Sequence, residues 1–213
     1  MTVTRVHLVR HGEVENPTGV LYGRLPGYRL SERGRAMAKR VADVVGDRTI
    51  VYLAASPLER AQETAAPIAE RLGLPIITDD RVIEAGNVFE GLTFGVGDGS
   101  LWRPRHWWHL RNPFRPSWGE PYVEQVARMR AAMDAAAAAA EGHEALIVSH
   151  QLPIWIVRSA IEGRRLWHDP RQRQCTLASI TTFGYEDGRI ESVSYSEPAA
   201  DLLPAGNTFD AGA

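Results

Sequence analysis

Residues 3–13 read Val-Thr-Arg-Val-His-Leu-Val-Arg-His-Gly-Glu, an apolar run that passes directly into Arg10, His11 and Gly12. The run from Val3 to Val9 predicts a buried β-strand. Ligands of open α/β sheets bind at the carboxyl ends of the strands, which makes His11 a candidate functional residue. Gly12 would let the backbone turn sharply and approach a ligand closely. A hydrogen-bonded structural histidine is the competing interpretation of this segment alone.

Further strands and helices alternate along the rest of the chain. Short apolar runs predict strands, and helical stretches with start and stop residues separate them. The predicted strands are Ile50–Ala54, Pro75–Thr78 and Ala145–Ser149, followed by a hairpin of Ser179–Phe183 and Arg189–Tyr195 across a turn containing Asp187-Gly188. The predicted helices run from a Ser31 cap to Val45, from a Ser56-Pro57-Leu58-Glu59 capping box toward Arg71, from Tyr122 to Glu141, and from Leu152 to Glu162.

This alternation predicts an α/β fold with three layers, in which a mixed, mostly parallel sheet carries helices on both faces. The terminal hairpin makes the sheet mixed. We expect residues 1–197 to form a single domain. Residues 198–213 are rich in Ala, Gly and Pro and are expected to form a flexible tail.

The composition excludes several classes of protein. With 213 residues, 44% hydrophobic and 23% charged, the chain matches a globular domain rather than a disordered or coiled-coil protein. The net charge of −2 argues against a nucleic-acid binder, and no apolar stretch approaches the ~20 residues that span a bilayer. No secretory signal is visible and Cys175 is the only cysteine, so we expect a cytoplasmic protein. The sequence leaves a homodimer open.

Two other predicted strands also end in residues that can bind anions. Arg60 follows the strand at 50–54 and lies in the first turn of the next helix. The amino end of a helix repels a cation, so an arginine is more plausible there if an anion binds beside it. His150 follows the strand at 145–149, as His11 follows the first strand. Taken alone, Arg60 could be a solvated surface residue and His150 a structural histidine. Together with Arg10 they form a constellation that chance placement at equivalent strand ends does not readily explain.

These motifs resemble those of the histidine phosphatase superfamily, the phosphoglycerate mutase-like proteins of the branch 1 type. The resemblance rests on Leu-Val-Arg-His-Gly-Glu at 8–13, Ser-Pro-Leu-Glu-Arg-Ala-Gln-Glu-Thr-Ala at 56–65 and Val-Ser-His at 148–150. Leu-Ser-Glu-Arg-Gly at 30–34 also matches the segment before the family's first long helix. The similarity runs from residue 5 to about residue 160, in the family's order and spacing.

The resemblance implies a mechanism without a metal or a cofactor. His11 would be the nucleophile and would form a phosphohistidine, while Arg10, Arg60 and His150 would hold the phosphoryl oxygens. The two arginines would help to keep His11 neutral, as a nucleophilic imidazole must be. Asn16 and Gly23 lie near the family's other phosphate contacts and are further candidates, although Asn16 is one position early.

The proton donor is expected in the segment Val82–Gly91. Glu84 occupies the place of the family's acid, and Glu90-Gly91 matches the end of that motif, but the interval is one residue shorter than usual. Glu84 is therefore the candidate acid, with Glu13 and Glu90 as reserves. A second departure is Gln151, which follows the second histidine where Gly is common.

The segment Leu101–Trp118 is particular to this chain, with four arginines, four tryptophans and no acidic residue. The resemblance implies that this segment lies in a small cap insertion at about residues 92–120, where Arg and Trp could bind the substrate's anion and ring. Equally, the tryptophans could simply pack on the domain. His106 and His109 have a spacing that a metal could use, but the segment supplies no further ligand.

The sequence thus predicts a phosphatase that hydrolyses small phosphomonoesters through a phosphohistidine. A mutase that transfers the phosphoryl group, and a weakly catalytic phospho-ligand-binding protein, are the alternatives. The expected partner is a small phosphorylated metabolite, with no nucleic acid and no membrane. His7, which alternates with Val6 and Leu8, and Cys175 are predicted to be structural.

Overall fold

The computed structural model describes residues 3–93 and 119–203, and the predicted cap segment Leu101–Trp118 lies outside them. Six strands form one sheet in the order β3-β2-β4-β1-β5-β6. The strands are β1 (Thr4–Arg10), β2 (Ile50–Ala55), β3 (Ile77–Thr78), β4 (Glu144–Ser149), β5 (Ile180–Glu186) and β6 (Arg189–Ser196). Strands β1 to β4 are parallel, whereas β5 and β6 run antiparallel to their neighbours. This is the mixed, mostly parallel sheet that the sequence predicts.

Helices cover both faces of the sheet. They are α1 (Glu32–Val45), α2 (Glu59–Leu72), α3 (Tyr122–Ala139) and α4 (Gln151–Ile161). Side chains alternate along the central strands, so that β1 places Val9 in one core with α1 and α2 and Leu8 in another with α3 and α4. β4 divides its side chains in the same way, with Val148 in the first core and Ile147 in the second. The three-layer architecture is confirmed.

Two local predictions hold for clear chemical reasons. The hydroxyl of Ser31 accepts a hydrogen bond from the Gly34 N–H and so caps α1. The hairpin turns at Asp187 and Gly188, which both have positive φ, as a tight turn between two twisted strands requires. Within the described residues, no helix has the combination of length and apolar character needed to cross a membrane.

The predicted capping box at residues 56–59 is wrong. Helix α2 begins at Glu59 with Leu58 as its N-cap, and no side chain caps it. The Glu59 carboxylate accepts instead from the Gly27 N–H. The Ser56 hydroxyl lies 2.7 Å from Nε2 of His150. Because that ring nitrogen is buried, water cannot replace this hydrogen bond.

The predicted tail is packed over its first residues. Residues Ala200–Leu202 form a 3-10 helix, Ala199 is buried in the core beside α1, and Arg40 pairs with Asp201. Apolar side chains at 199, 202 and 203 therefore dock on the domain, contrary to the expectation from composition. Residues 204–213 lie outside the described part of the chain.

Candidate active site

Three neighbouring parallel strands deliver the candidate catalytic side chains to one edge of the sheet. β4 lies between β2 and β1, so the residues that follow these strands, Ser56, His150 and His11, meet at their carboxyl ends. The backbone continues the sheet here, because the His11 N–H donates to the Ser149 carbonyl and the Ser56 N–H donates to the Val148 carbonyl. The sheet order thus places two distant histidines 5.2 Å apart, measured between ring centroids.

His11 is held as a neutral imidazole with a defined tautomer. Its Nδ1 lies 2.8 Å from the Gly12 carbonyl, which can only accept, so Nδ1 carries the proton. Nε2 is buried and has no hydrogen-bond partner among the described residues. Burial, and then the charges of Arg60 and Arg10, hold the pKa of His11 well below its ordinary value of 6.5. Nε2 therefore presents an unprotonated lone pair.

His150 faces the same cluster through a different contact. Its Nε2 lies 2.7 Å from the Ser56 hydroxyl, while its Nδ1 is buried without a partner in the described structure. Burial is the main cause that lowers its pKa far below 6.5, followed by the charges of Arg60 and His11. Two buried neutral histidines thus offer one nucleophilic nitrogen and one hydrogen-bonding ring.

Two buried arginines supply positive charge beside the histidines. Arg10, the last residue of β1, donates from Nη1 to the Cys175 carbonyl at 2.8 Å. Arg60 donates from Nη2 to the Gly23 carbonyl at 2.6 Å, and its guanidinium lies 4.7 Å from the centre of the Tyr22 ring. Nε and Nη1 of Arg60 are buried with no hydrogen-bond partner among the described residues. Such donors are costly to bury unpaired, and an anion bound here would satisfy them.

Glu84 is placed as an acid in this environment. It is 2% exposed, and its Oε1 accepts from the Ala85 N–H at 2.7 Å. Oε2 has no partner among the described residues. Burial raises the pKa of Glu84 although Arg60 and Arg173 act in the opposite direction. A carboxyl group with a raised pKa can carry the proton that a leaving oxygen needs.

The reserve acids are both occupied elsewhere. Glu13 accepts from the Ser31 hydroxyl and pairs with Arg33 at 3.0 Å. Glu90 accepts from the backbone N–H groups of Arg24 and Asn87 through one oxygen. Each carboxylate stabilises a loop, which leaves Glu84 as the candidate that faces the buried cluster.

Asn16 and Gly23 take different places. Both ends of the Asn16 amide bond the backbone of Val20, so the side chain closes its own loop rather than joining the arginines and histidines. Gly23 does reach the cluster through its carbonyl, which orients Arg60. Its φ of +41° and the Glu90 side chain beside it leave no room for a Cβ. A phosphate contact of either residue stays a prediction.

Sequence reasoning missed three contributors to the site. The sequence assigns Ser56 no role beyond a helix cap and a place in the motif at 56–65, although its position after β2 could have suggested a partner for His150. Gln151, known as a departure from the family motif, accepts through Oε1 from Arg173 and donates through Nε2 to the Cys175 carbonyl. Arg173 lies in a loop without periodicity, and nothing in the sequence singles it out.

The remaining histidine and cysteine predictions are consistent with the structure. His7 lies within hydrogen-bonding distance of Glu144 and Thr182, at 2.9 and 2.8 Å, as a satisfied core histidine. Cys175 is buried in the core beside α3 and α4, and burial raises the pKa of its thiol. Within residues 3–93 and 119–203, no group of three His, Cys, Asp or Glu side chains is placed to hold a metal ion. His106 and His109 lie outside the described residues.

Comparison with known proteins places this geometry in a family. The family model described as "Histidine phosphatase superfamily (branch 1)" matches residues 6–198. An uncharacterized protein of Mycobacterium tuberculosis, Rv0525, is 59% identical over 92% of this chain and 98% of its own length. A probable phosphoglycerate mutase, GpmB of Erwinia tasmaniensis, is 32% identical over 83% of this chain and 84% of its own. The structure of mycobacterial glucosyl-3-phosphoglycerate phosphatase superposes with a TM-score of 0.70 at 26% identity, covering 91% of this chain and 96% of that chain.

Proposed function

The chain belongs to branch 1 of the histidine phosphatase superfamily, and we propose that it hydrolyses phosphomonoesters of small metabolites through a phosphohistidine at His11. The observation that carries this proposal is the hydrogen bond from Nδ1 of His11 to the Gly12 carbonyl. It leaves Nε2 as an unprotonated nucleophile beside Arg10, Arg60 and His150.

In the first step, the lone pair on Nε2 of His11 attacks phosphorus and the bond from phosphorus to the ester oxygen breaks. Glu84 gives its proton to the departing oxygen, so an alcohol leaves rather than an alkoxide. Arg10, Arg60 and His150 bind the phosphoryl oxygens, and their fixed donors stabilise the charge that the transition state concentrates there. The Arg fork suits this role because it can contact two oxygens.

In the second step, water attacks the phosphohistidine. The nitrogen–phosphorus bond breaks, His11 recovers its lone pair, and the Glu84 carboxylate takes a proton from the attacking water. Inorganic phosphate then leaves, and the site returns to its starting protonation. Both steps use only side chains of this protein.

The proposal therefore includes independence from metal ions. Arg10 and Arg60 supply the positive charge that a metal would otherwise bring to the phosphoryl group. We expect phosphate release to continue at an unchanged rate after exhaustive treatment with a chelator. A reproducible loss that one added metal restores would contradict this mechanism.

Phosphoryl transfer is the second candidate function, since one relative is a probable phosphoglycerate mutase. Both functions share the phosphohistidine and differ in what accepts the phosphoryl group, water or a hydroxyl of the substrate. A weakly catalytic phospho-ligand-binding protein would bind without turnover. The proposed partner is a small phosphorylated metabolite and the proposed location is the cytoplasm, where the single thiol of Cys175 stays reduced.

A trapping experiment tests the phosphohistidine. The protein is mixed with a substrate labelled in its phosphoryl group and quenched in base, where phosphohistidine survives, and the labelled peptide is identified. We expect the label on His11, its loss in His11→Ala, and an unaffected His143→Ala control, because His143 is exposed and remote from β1's carboxyl end. Label on another residue, together with normal turnover of His11→Ala, would overturn the proposal.

A substrate panel separates the candidate functions. It contains phosphoglycerates, glucosyl-3-phosphoglycerate and aryl phosphates, scored for free phosphate and for phosphoryl transfer between positions. We expect phosphate release to dominate. Dominant transfer would assign a mutase, and tight binding without either product would assign a phospho-ligand-binding protein.

A further inference from the structure

Glu84 and Gly23 also line a cleft whose other residues are unlike those of the phosphoryl site. Leu21, Tyr122, Leu152, Trp167 and Pro170 give it apolar and aromatic surface, while Arg173 gives it a cation. Trp167 is 48% exposed, which is unusual for so large an apolar residue. The cleft is therefore shaped for more than a phosphoryl group.

Arg173 is fixed in the wall by two neutral acceptors. Its Nε donates to Nε2 of His168 at 2.9 Å, and its Nη1 donates to Oε1 of Gln151 at 3.1 Å. His168 can accept because its Nδ1 donates to the Leu166 carbonyl at 2.6 Å. Gln151 is held in turn by the Cys175 carbonyl, which also binds Arg10. The guanidinium is thus pre-oriented and connected to the phosphoryl site.

Arg173 forms no ion pair with a carboxylate in the described structure, although Glu84 is near enough to act on it electrostatically. Most other arginines in that part of the chain pair with Asp or Glu. Four that do not are exposed to solvent: Arg35, Arg71, Arg165 and Arg189. Arg173 differs from these four because it is half-buried, and burial lowers the pKa of its guanidinium. The buried Arg60 likewise has no ion-pair partner among the described residues, and it belongs to the phosphoryl site.

The acidic residues of the cleft do not cancel this charge. Glu120 is bound by Arg24 at 2.9 Å and by Arg128 at 2.7 Å. Glu84 is buried, forms no ion pair with Arg173, and has a pKa that burial raises. The cleft also offers Oε1 of Gln125, a buried acceptor with no donor among the described residues. An anion with a nearby hydroxyl or N–H group would satisfy both the cation and this acceptor.

We propose that Arg173 is a specificity-determining residue that binds a second anionic group of the substrate, whose body contacts Trp167 and Tyr122. This rests on the proposed phosphatase activity and names its substrate class: phosphomonoesters that carry a second negative charge and an apolar or ring-containing body. A charged partner makes strong hydrogen bonds to a guanidinium in a site that is shielded from water.

Matched pairs of substrates test the charge alone. We compare 3- and 4-carboxyphenyl phosphate with the corresponding carboxamides, which have nearly the same shape. A further pair is 1,4-phenylene bisphosphate and 4-hydroxyphenyl phosphate. We expect wild-type protein to prefer the anionic member of at least one pair by about tenfold or more in kcat/KM, mostly through KM. No preference in any pair would overturn the proposal.

Two variants assign the preference to Arg173. Arg173→Met should reduce the ratio within the preferred pair to near one, whereas Arg165→Met, an exposed residue of the same region, should keep it. An equal loss on both members of the pair would mean that Arg173 only supports Gln151, and would overturn the proposal. If Arg173→Met does not fold, Arg173→Gln replaces it and is read in the same way.

Binding separates this inference from the proposed function. The phosphonate analogues 4-carboxybenzylphosphonate and its carboxamide cannot be hydrolysed, and their dissociation constants are measured by calorimetry on the wild-type protein and both variants. A preference for the carboxylate that depends on Arg173, in a protein that releases no phosphate, would support the subsite and contradict the phosphatase. Phosphate release without a preference for the carboxylate would support the phosphatase and contradict the subsite.

Discussion

At the scale of single residues, the site depends on where protons are held. Burial lowers the pKa of His11 and raises that of Glu84, which favours a free base and a protonated acid in one site. In water at pH 5.5, by contrast, a histidine is protonated and a glutamic acid is ionised. Burial is thus the largest cause of the opposite pKa shifts of the candidate nucleophile and the candidate acid.

The role of Glu84 can be tested through the leaving group. Glu84→Gln removes the proton and keeps the shape, so hydrolysis of alkyl phosphates should slow by about 10²- to 10⁴-fold. Aryl phosphates with acidic leaving groups need little protonation and should slow far less. Steady-state rates on both classes check this, with Glu124→Gln, an exposed carboxylate on α3, as the unchanged control. Equal slowing would turn attention to Glu13 and Glu90.

Ser56 offers a second test at this scale. Its hydroxyl is the described partner of Nε2 of His150, so Ser56→Ala leaves that buried nitrogen unpaired. An unsatisfied buried polar group costs about 1–3 kcal/mol, and His150 should also lose its fixed orientation. We expect lower kcat with a smaller change in KM, because phosphoryl oxygens are held most tightly in the transition state. Full activity in Ser56→Ala would show that His150 is oriented by other contacts.

At the scale of elements, the loop that carries His11 is held against the start of α1. The Ser31 N–H donates to the Glu13 carbonyl, and the Glu13 carboxylate accepts from the Ser31 hydroxyl. Gly34 lies so close that a Cβ there would overlap the Glu13 carbonyl oxygen. The close approach of two backbones, rather than helix propensity, explains why a glycine occupies the first turn of a helix.

This contact predicts that Gly34→Ala lowers the free energy of unfolding, whereas helix propensity alone would predict an increase. Gly34→Ala should gain up to about 1 kcal/mol of helix propensity but lose about 1–3 kcal/mol through overlap with backbone that cannot rotate away. We expect net destabilisation in urea unfolding and reduced activity, because the His11 loop must move. Lys39→Ala on the exposed face of α1 is the control and should change stability by less than about 0.5 kcal/mol. A more stable, fully active Gly34→Ala would refute the contact.

At the scale of the whole molecule, several neutral histidines make stability depend on pH. Burial lowers the pKa of four histidines in the described structure: His7, His11, His150 and His168. The unfolded chain binds more protons than the folded one below pH 6.5, so stability should fall as the pH drops through that value and should be insensitive to these groups above it. Glu84, with its raised pKa, acts in the opposite direction.

The size of this effect is measurable by denaturant unfolding. One pH unit below 6.5, each histidine that stays neutral in the fold lowers the free energy of unfolding by about 1.4 kcal/mol. We therefore expect a loss of several kcal/mol between pH 7.5 and pH 5.5, and a smaller loss in His7→Gln. A flat profile over this range would mean that the buried histidines accept protons without unfolding.

Much of the architecture was readable from local chemistry. Apolar alternation placed the central strands, Ser31 and the Asp187-Gly188 turn marked boundaries correctly, and motif spacing singled out Arg10, His11, Arg60, Glu84 and His150. These features depend on neighbours in the chain, such as a cap three residues away or a side chain every second position. Residue types at strand ends were therefore enough to suggest the family and the reaction.

Other features were decided only when distant segments met. Ser56 binds His150 instead of capping α2, the segment 198–203 packs on α1 instead of staying loose, and Asn16 closes its own loop. Arg173 gains its orientation from Gln151 and His168, partners on separate elements. Each choice is a competition for a buried hydrogen bond or apolar surface, and its outcome depends on which groups the sheet order brings together. Sequence determines the candidates for such contacts, while tertiary structure selects among them because a buried polar atom must find its partner in space.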